Sequence, residues 1–268
     1  MGISAAAMSL FDCYCNGAHP VGLVDVVDCE KLVPGKHIGI IDGLILACKM
    51  AGECVLIGGE TAELPGMYKY DWVVNVNTFA IGEPDPQIVN RLVWSGQKVY
   101  GWPSHGLGSN GFSLARRVFG LCGEPEEIRE RLFEKRADFE GSLADGLLFP
   151  APIWINEIER ERASGVRFGA HAHITGGGLV DNVPRVLPDN LKVVIDRFAW
   201  RRPPIFRLIQ EVGGVSPSEM DRVFNQGIMA VSIVDQGSIS SAKAIRIGEV
   251  MHRKADEPQV EFVGEYND

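Results

Sequence analysis

A chain of 268 residues with 46% apolar and 23% charged side chains has the balance of a folded protein, which excludes disorder over long stretches. Its formal charge of −9, with no clustered run of Lys and Arg, excludes a general nucleic-acid binder, because phosphate contacts need concentrated positive charge. The length suits one large domain or two ordinary ones.

In chain order, residues 3–16 read as a helix, and no basic region precedes an apolar core as in a signal peptide. A strand is predicted from Pro20 to Val27. Pro34 sits near the start of a helix running to about Met50, and Gly52 is placed to end it. The most apolar stretch, Ile38 to Met50, is broken by Asp42 and Lys49 and is too short to span a bilayer, so no membrane contact and a cytoplasmic location are expected. Cys54 to Ile57 reads as a short buried strand running into Gly58-Gly59-Glu60, and Trp72 to Ile81 as another with Asn75 and Asn77 on one face. The segment from Glu83 through Pro84 and Pro86 to about Gln97 reads as a linker, dividing the chain into domains 1–96 and 97–268.

Beyond it, strands are predicted at Lys98 to Trp102 and near 165–173, 191–196, 227–234, 246–252 and 259–264. Helices are predicted at 111–120, 126–135, 142–162, 178–187, 203–212, 217–224 and 238–245. The alternation gives an α/β (α+β) class in two units. The six cysteines, Cys13, Cys15, Cys29, Cys48, Cys54 and Cys122, show no Cys-x-x-Cys zinc spacing and read as buried reduced thiols.

Three glycine-rich segments carry the candidate chemistry. In Gly58-Gly59-Glu60-Thr61-Ala62-Glu63, paired glycines let a ligand approach the backbone, and two carboxylates three apart suit a hard cation such as Mg²⁺. A tight turn with a capping box fits the same residues. In Ser109-Asn110-Gly111, small residues ahead of a helix suit an anion, and Asn110 equally suits a plain N-cap. In His173-Ile174-Thr175-Gly176-Gly177-Gly178, successive glycines at a helix start suit phosphate, and His173 is either an acid/base near neutral pH or a structural histidine. None of the three is a P-loop or a dinucleotide fingerprint.

The run Leu56-Ile57-Gly58-Gly59-Glu60-Thr61-Ala62-Glu63-Leu64-Pro65-Gly66-Met67-Tyr68 resembles the G-G-E-T-A-E-M-P-G-M-Y signature of aminoimidazole ribonucleotide synthetases, the phosphoribosylformylglycinamidine cyclo-ligases. Collinear stretches resemble the same family: Asp12 with Gly17-Ala18-His19-Pro20, Ser109 to Leu114, His173 to Leu179 continuing through Asn182-Val183-Pro184-Arg185-Val186-Leu187-Pro188, and Phe224-Asn225-Gln226-Gly227-Ile228. His19 stands where the family has Glu, and Phe11 where it has Asn.

The resemblance implies a two-domain PurM-like fold, with a truncated N-terminal domain built on a mixed sheet and a C-terminal α/β domain. It further implies a homodimer formed through the N-terminal domain, and a cleft for ATP and a small ribonucleotide. The implied reaction uses ATP and Mg²⁺ to activate the amide oxygen of formylglycinamidine ribonucleotide, whereupon an internal nitrogen closes the imidazole ring and ADP and phosphate leave. Carried over by position, Asp12, Glu60 and Glu63 are expected at the metal, and Gly58, Gly59 and Thr61 beside the nucleotide. Ser109, Asn110, Gly111, Thr175, Gly176, Gly177, Gly178, Asn182 and Arg185 are expected at phosphate groups, and His173 and Asn225 in catalysis. Family chains carry a D-G-V-G-T-K motif upstream of the stretch matched here, so a separate polypeptide supplying that segment is an expected partner. A catalytically incomplete binding or assembly subunit, or another ATP-using member of the superfamily, stays open as an alternative.

Overall fold

Alternation of buried Leu23, Asp25, Val27 and Cys29 with half-buried Val24, Val26 and Asp28 makes β1 (Ala18–Cys29) a strand with one covered face. The first helix covers it, and the second packs against that helix and the neighbouring strand. In α1 (Gly2–Cys15) the buried set Ala6, Ala7, Leu10, Phe11 and Tyr14 recurs at helical spacing. In α2 (Pro34–Met50) proline occupies the first turn, where its missing N–H costs no hydrogen bond. The two helices meet at glycines: a Cβ on Gly2 would lie 2.1 Å from the Ile40 carbonyl oxygen. β1 is central, with β2 (Val55–Glu63) parallel on one side and β3 (Val74–Pro84) antiparallel on the other. The opposite face of this mixed sheet is open and carries exposed Val55, Ile57, Phe79 and Ile81.

This is a computed structural model describing residues 1–71, 73–136 and 141–268, so Trp72, expected to begin β3, lies outside the described residues. The chain forms two compact units, Met1–Val89 with Ile153–Ala163, and Asn90–Pro152 with Ser164–Asp268. The division expected at residue 96 thus falls at Val89, and one later segment returns to the first unit. Its anchors are specific. Glu159 accepts a hydrogen bond of 2.5 Å from the Tyr14 hydroxyl, and Arg162 pairs with Asp85 at 3.2 Å.

The second unit holds β4 (Lys98–Pro103), α3 (Phe112–Val118), α4 (Pro125–Phe133) and α5 (Leu143–Leu147). After α6 (Ile155–Ala163) of the first unit come β5 (Arg167–His173), α7 (Gly178–Asn182), β6 (Leu191–Asp196), α8 (Pro204–Gly213) and α9 (Pro217–Val223). The last elements are β7 (Ile228–Gln236), β8 (Ile245–His252) and β9 (Val260–Val263). The strands form one sheet ordered β5-β7-β4-β8-β6-β9, antiparallel at every pairing except β6 with β9. Helices and strands alternate along this unit, yet neighbouring strands of its sheet run mostly antiparallel. One core lies on the sheet around Val193, Ile195, Val231 and Ile247, and another joins α3, α5, α8 and α9 through Ala115, Leu147, Phe206 and Phe224.

Three predicted helices are corrected. The span 142–162 is two helices, because Pro150 and Pro152 between them cannot continue one. The span 178–187 stops at Asn182 and tightens into a 3₁₀ turn, Val183–Val186, at Pro184. Residues 238–245 form no helix: the Ser241 hydroxyl accepts from the Lys243 N–H, a local bond that competes with helix formation. All six cysteines are free, with Cys29, Cys48 and Cys54 buried and Cys122 exposed. Among the described residues no helix is long and apolar enough to cross a membrane.

Candidate functional site

The glycine pair in the first unit belongs to strand β2, in parallel register with β1, so that Gly59 lies opposite Asp25, Glu60 opposite Val26 and Glu63 opposite Cys29. A Cβ on Gly59 would sit 2.3 Å from a carboxylate oxygen of Asp25, which is buried, and 2.6 Å from its carbonyl oxygen. Glycine is therefore required here by the fold itself. Burial pushes the Asp25 carboxyl above its ordinary value.

The strand also corrects the expected metal set. Residues three apart on a strand face opposite sides, so Glu60 lies on the open face with Val26 and Glu63 on the other with Cys29. Asp12 is an exposed residue of α1. Among the described residues no group of three or more His, Cys, Asp or Glu side chains is placed to hold a metal ion. Asp12, Glu60 and Glu63 do not assemble into a magnesium site within this chain.

The loop completing the signature is tied down by a residue that sequence reading missed. Glu30, just past β1, accepts from the Gly66 N–H at 2.6 Å and the Tyr68 N–H at 2.8 Å. Nothing near Glu30 in the sequence signals this, because its partners lie 36 and 38 positions downstream. These two N–H groups hold its carboxyl below the ordinary value. A depressed folded-state pKa gives an anchor that is complete above the ordinary glutamate range and lost as pH falls through the depressed value. Hydrogen exchange at the Gly66 and Tyr68 amides, corrected for intrinsic rates, is accordingly expected to quicken on acidification across that window. In Glu30→Gln the amides should be less protected at neutral pH and lose this acid dependence; equal protection in both proteins would remove the anchor.

In the second unit three separated segments converge. Gly111 (φ 83°) caps α3, and a Cβ there would lie 2.3 Å from the Phe224 ring. At Gly176 the added Cβ would lie 3.6 Å from Asn110 Oδ1, which brings the Ser109–Gly111 and Thr175–Gly178 loops side by side. Gly178 (φ 60°) abuts the α9 end so closely that a Cβ would be 2.1 Å from the Asp221 carbonyl oxygen and 2.7 Å from that of Phe224.

Asn182, expected at phosphate, and Asn225, expected in catalysis, both bond to backbone in this structure. Asn182, 2% exposed, donates to the carbonyls of Gly176 (3.1 Å) and Gly178 (2.7 Å), and its Oδ1 accepts from the Thr175 hydroxyl. Asn225, 3% exposed, donates to the carbonyls of Gly106 and Leu107 and accepts from the Gly227 N–H at 2.7 Å. Both staple the loops and present no free polar atom to a ligand. His173 is buried at the end of β5, opposite Ala230, and Arg185 is exposed in the 3₁₀ turn.

Behind the glycine loop stands a second cluster absent from the sequence reading. Buried Asp221 is paired with Arg197 and accepts from the Tyr266 hydroxyl at 2.6 Å. Arg197 in turn lies 4.4 Å over the Phe262 ring and 5.4 Å over that of Tyr266. Burial, then the Asp221 charge, pushes the Tyr266 phenol well up, so it stays protonated as the donor.

Residues 1–83 match the family model of the AIR synthase related protein N-terminal domain, and residues 95–261 that of its C-terminal domain. The chain belongs to the AIR synthase related family. Among its relatives is the phosphoribosylformylglycinamidine cyclo-ligase of Caldicellulosiruptor bescii, 39% identical over 245 residues, which covers 89% of this chain and 69% of that protein. A solved structure of Escherichia coli HypE, a hydrogenase maturation protein, superposes with a TM-score of 0.67 at 18% identity, covering 100% of this chain and 77% of the other. A HypE solved in complex with ATP gives a TM-score of 0.62 at 17% identity over 97% of this chain and 76% of that one. The PurM-like fold of this AIR synthase related chain is the one expected from the sequence.

Proposed function

We propose that this chain is an ATP-dependent cyclo-ligase of purine biosynthesis, converting formylglycinamidine ribonucleotide to aminoimidazole ribonucleotide with release of ADP and phosphate. One observation carries the reading: the second unit brings together the Ser109–Gly111 loop, the Thr175–Gly178 loop and the Phe224–Ile228 turn, which match the cyclo-ligase family in series. The relatives' names and the ATP held by a HypE of the same fold support ATP as co-substrate.

In this reading the glycine loops turn backbone N–H groups toward phosphate oxygens, where charge develops as the phosphoryl group moves to the substrate amide oxygen. Attack by the internal nitrogen on the activated carbon then closes the ring, and phosphate leaves with the former amide oxygen. Arg185 meets the sugar phosphate or the transferring phosphoryl group, and His173 exchanges the proton of the closing nitrogen. Asn182 and Asn225 position the loops. Gly58, Gly59 and Thr61 lie on the nucleotide side of the first unit. Magnesium, expected from the resemblance, has no ligand set assembled from Asp12, Glu60 and Glu63, so no step is routed through it. The open apolar face around Val55, Ile57, Phe79 and Ile81 is the surface through which a homodimer would form in the cytoplasm.

The test incubates the chain, alone and with a polypeptide carrying the D-G-V-G-T-K segment of its relatives, with ATP, Mg²⁺ and formylglycinamidine ribonucleotide. Aminoimidazole ribonucleotide formed in step with ADP supports the assignment. No product in either mixture contradicts it and leaves a binding subunit.

A further inference from the structure

Beside the Asp221–Arg197 cluster of the second unit lies a cavity of about 430 Å³, whose lining includes Arg197, Arg202, Gln210, Tyr266 and Asp268. Arg202 is 4% exposed, and its planar fork holds the Asp268 carboxylate through two hydrogen bonds, Nε to Oδ1 at 2.6 Å and Nη2 to Oδ2 at 2.7 Å. Its Nη1 donates to the Gln210 side-chain oxygen at 2.8 Å. Both guanidiniums also lie over the Tyr266 ring, Arg202 at 4.7 Å and Arg197 at 5.4 Å from its centre. Arg197 Nε is buried and has no hydrogen-bond partner among the described residues. We propose that this cavity is a binding site for small dicarboxylate anions, and that the Asp268 side chain is a tethered stand-in which such an anion displaces.

The donor set selects the ligand. A guanidinium as buried as Arg202 demands a counter-charge, and its fork matches the two oxygens of a carboxylate. A second carboxylate on the same ligand answers the positive charge of Arg197. Asp221 already offsets part of that charge, which makes Arg202 the principal contact. Glu265 also lines the cavity but is exposed, where solvent and salt screen it. The volume lies within the range of small-molecule pockets.

The stand-in is lightly held. Asn267 and Asp268 are both exposed, and the backbone tie there is the bond from the Arg202 N–H to the Asn267 carbonyl at 2.9 Å. Tyr266 is anchored separately, through its hydroxyl to Asp221 at 2.6 Å. Residues 267–268 therefore swing away as a local opening while the ring stays in place. Because the Asp268 carboxylate is tethered, a free anion competes against an effective concentration on the order of millimolar. None of this depends on the reaction assigned above.

Succinate is titrated calorimetrically into the wild-type chain, Asp268→Ala and Arg202→Gln at constant ionic strength, and amide exchange of the wild type is followed with and without it. Saturable binding to the wild type is expected, together with faster exchange of the Arg202 amide. Asp268→Ala should bind roughly 10-fold more tightly, since its competitor is gone, and Arg202→Gln should not bind. The wild-type measurements decide the matter if a variant folds poorly. No saturable binding to the wild type overturns the proposal, as does binding that leaves the Arg202 amide protected. Equal affinity in Asp268→Ala, or binding retained in Arg202→Gln, overturns it as well.

Discussion

Asp221→Ala is expected to lower unfolding stability by about 3 kcal/mol, at the lower end of the range for breaking a buried ion pair because the guanidinium partner retains some solvent. The carboxylate is 3% exposed and serves Arg197, the Tyr266 hydroxyl and, at 3.4 Å, the Gln226 amide. Removing it leaves a half-buried cation and a half-buried phenol without this acceptor. Asp221→Asn keeps an acceptor for Tyr266 and should cost less. Replacing the pair together, Asp221→Leu with Arg197→Met, should recover much of the loss, since the penalty lies in the orphaned charge. Urea unfolding of the three variants measures this. A loss below about 1 kcal/mol for the alanine variant, in the range of an exposed ion pair, would show the cluster to be solvated.

Gly178→Ala is the more severe change for function. The left-handed backbone costs a substituted residue roughly 1–2 kcal/mol. The new methyl would also meet the carbonyl oxygens of Asp221 and Phe224 at 2.1 and 2.7 Å, backbone atoms that cannot rotate aside. Such overpacking adds about 1–3 kcal/mol or moves the loop. Displacement of the loop by about 1 Å should lower turnover on the order of 100-fold. Gly176→Ala supplies the contrast, because its methyl meets only Asn110 Oδ1 at 3.6 Å, an ordinary contact. Stability and ring-closure rate measured for both variants should separate them sharply. Wild-type behaviour of Gly178→Ala would mean that α9 does not brace the loop.

Local periodicity carried much of the fold. α1, α2 and β6 were legible because their buried residues recur at the element's own period and Pro34 marks a helix start. The family was legible because its motifs are contiguous strings. What escaped depended on partners far along the chain. Residues Gly58 to Glu63 read as a turn on glycine content, yet β1 supplies their ladder and makes them strand, which separates Glu60 from Glu63. The fate of the Asn182 and Asn225 amides was equally hidden, since a polar side chain that staples backbone looks in sequence like one that meets a ligand. Asp221 finds Arg197 24 positions upstream and Tyr266 45 downstream, and no local pattern announces either.

Phosphoryl activation of the amide oxygen is tested most directly by following that atom. Formylglycinamidine ribonucleotide labelled with heavy oxygen at the amide is converted by the chain with ATP, supplemented if necessary by the upstream polypeptide, and the released phosphate is analysed by mass. The label is predicted in inorganic phosphate, in step with ring formation. Unlabelled phosphate accompanying ring closure would contradict the reaction assigned to this chain.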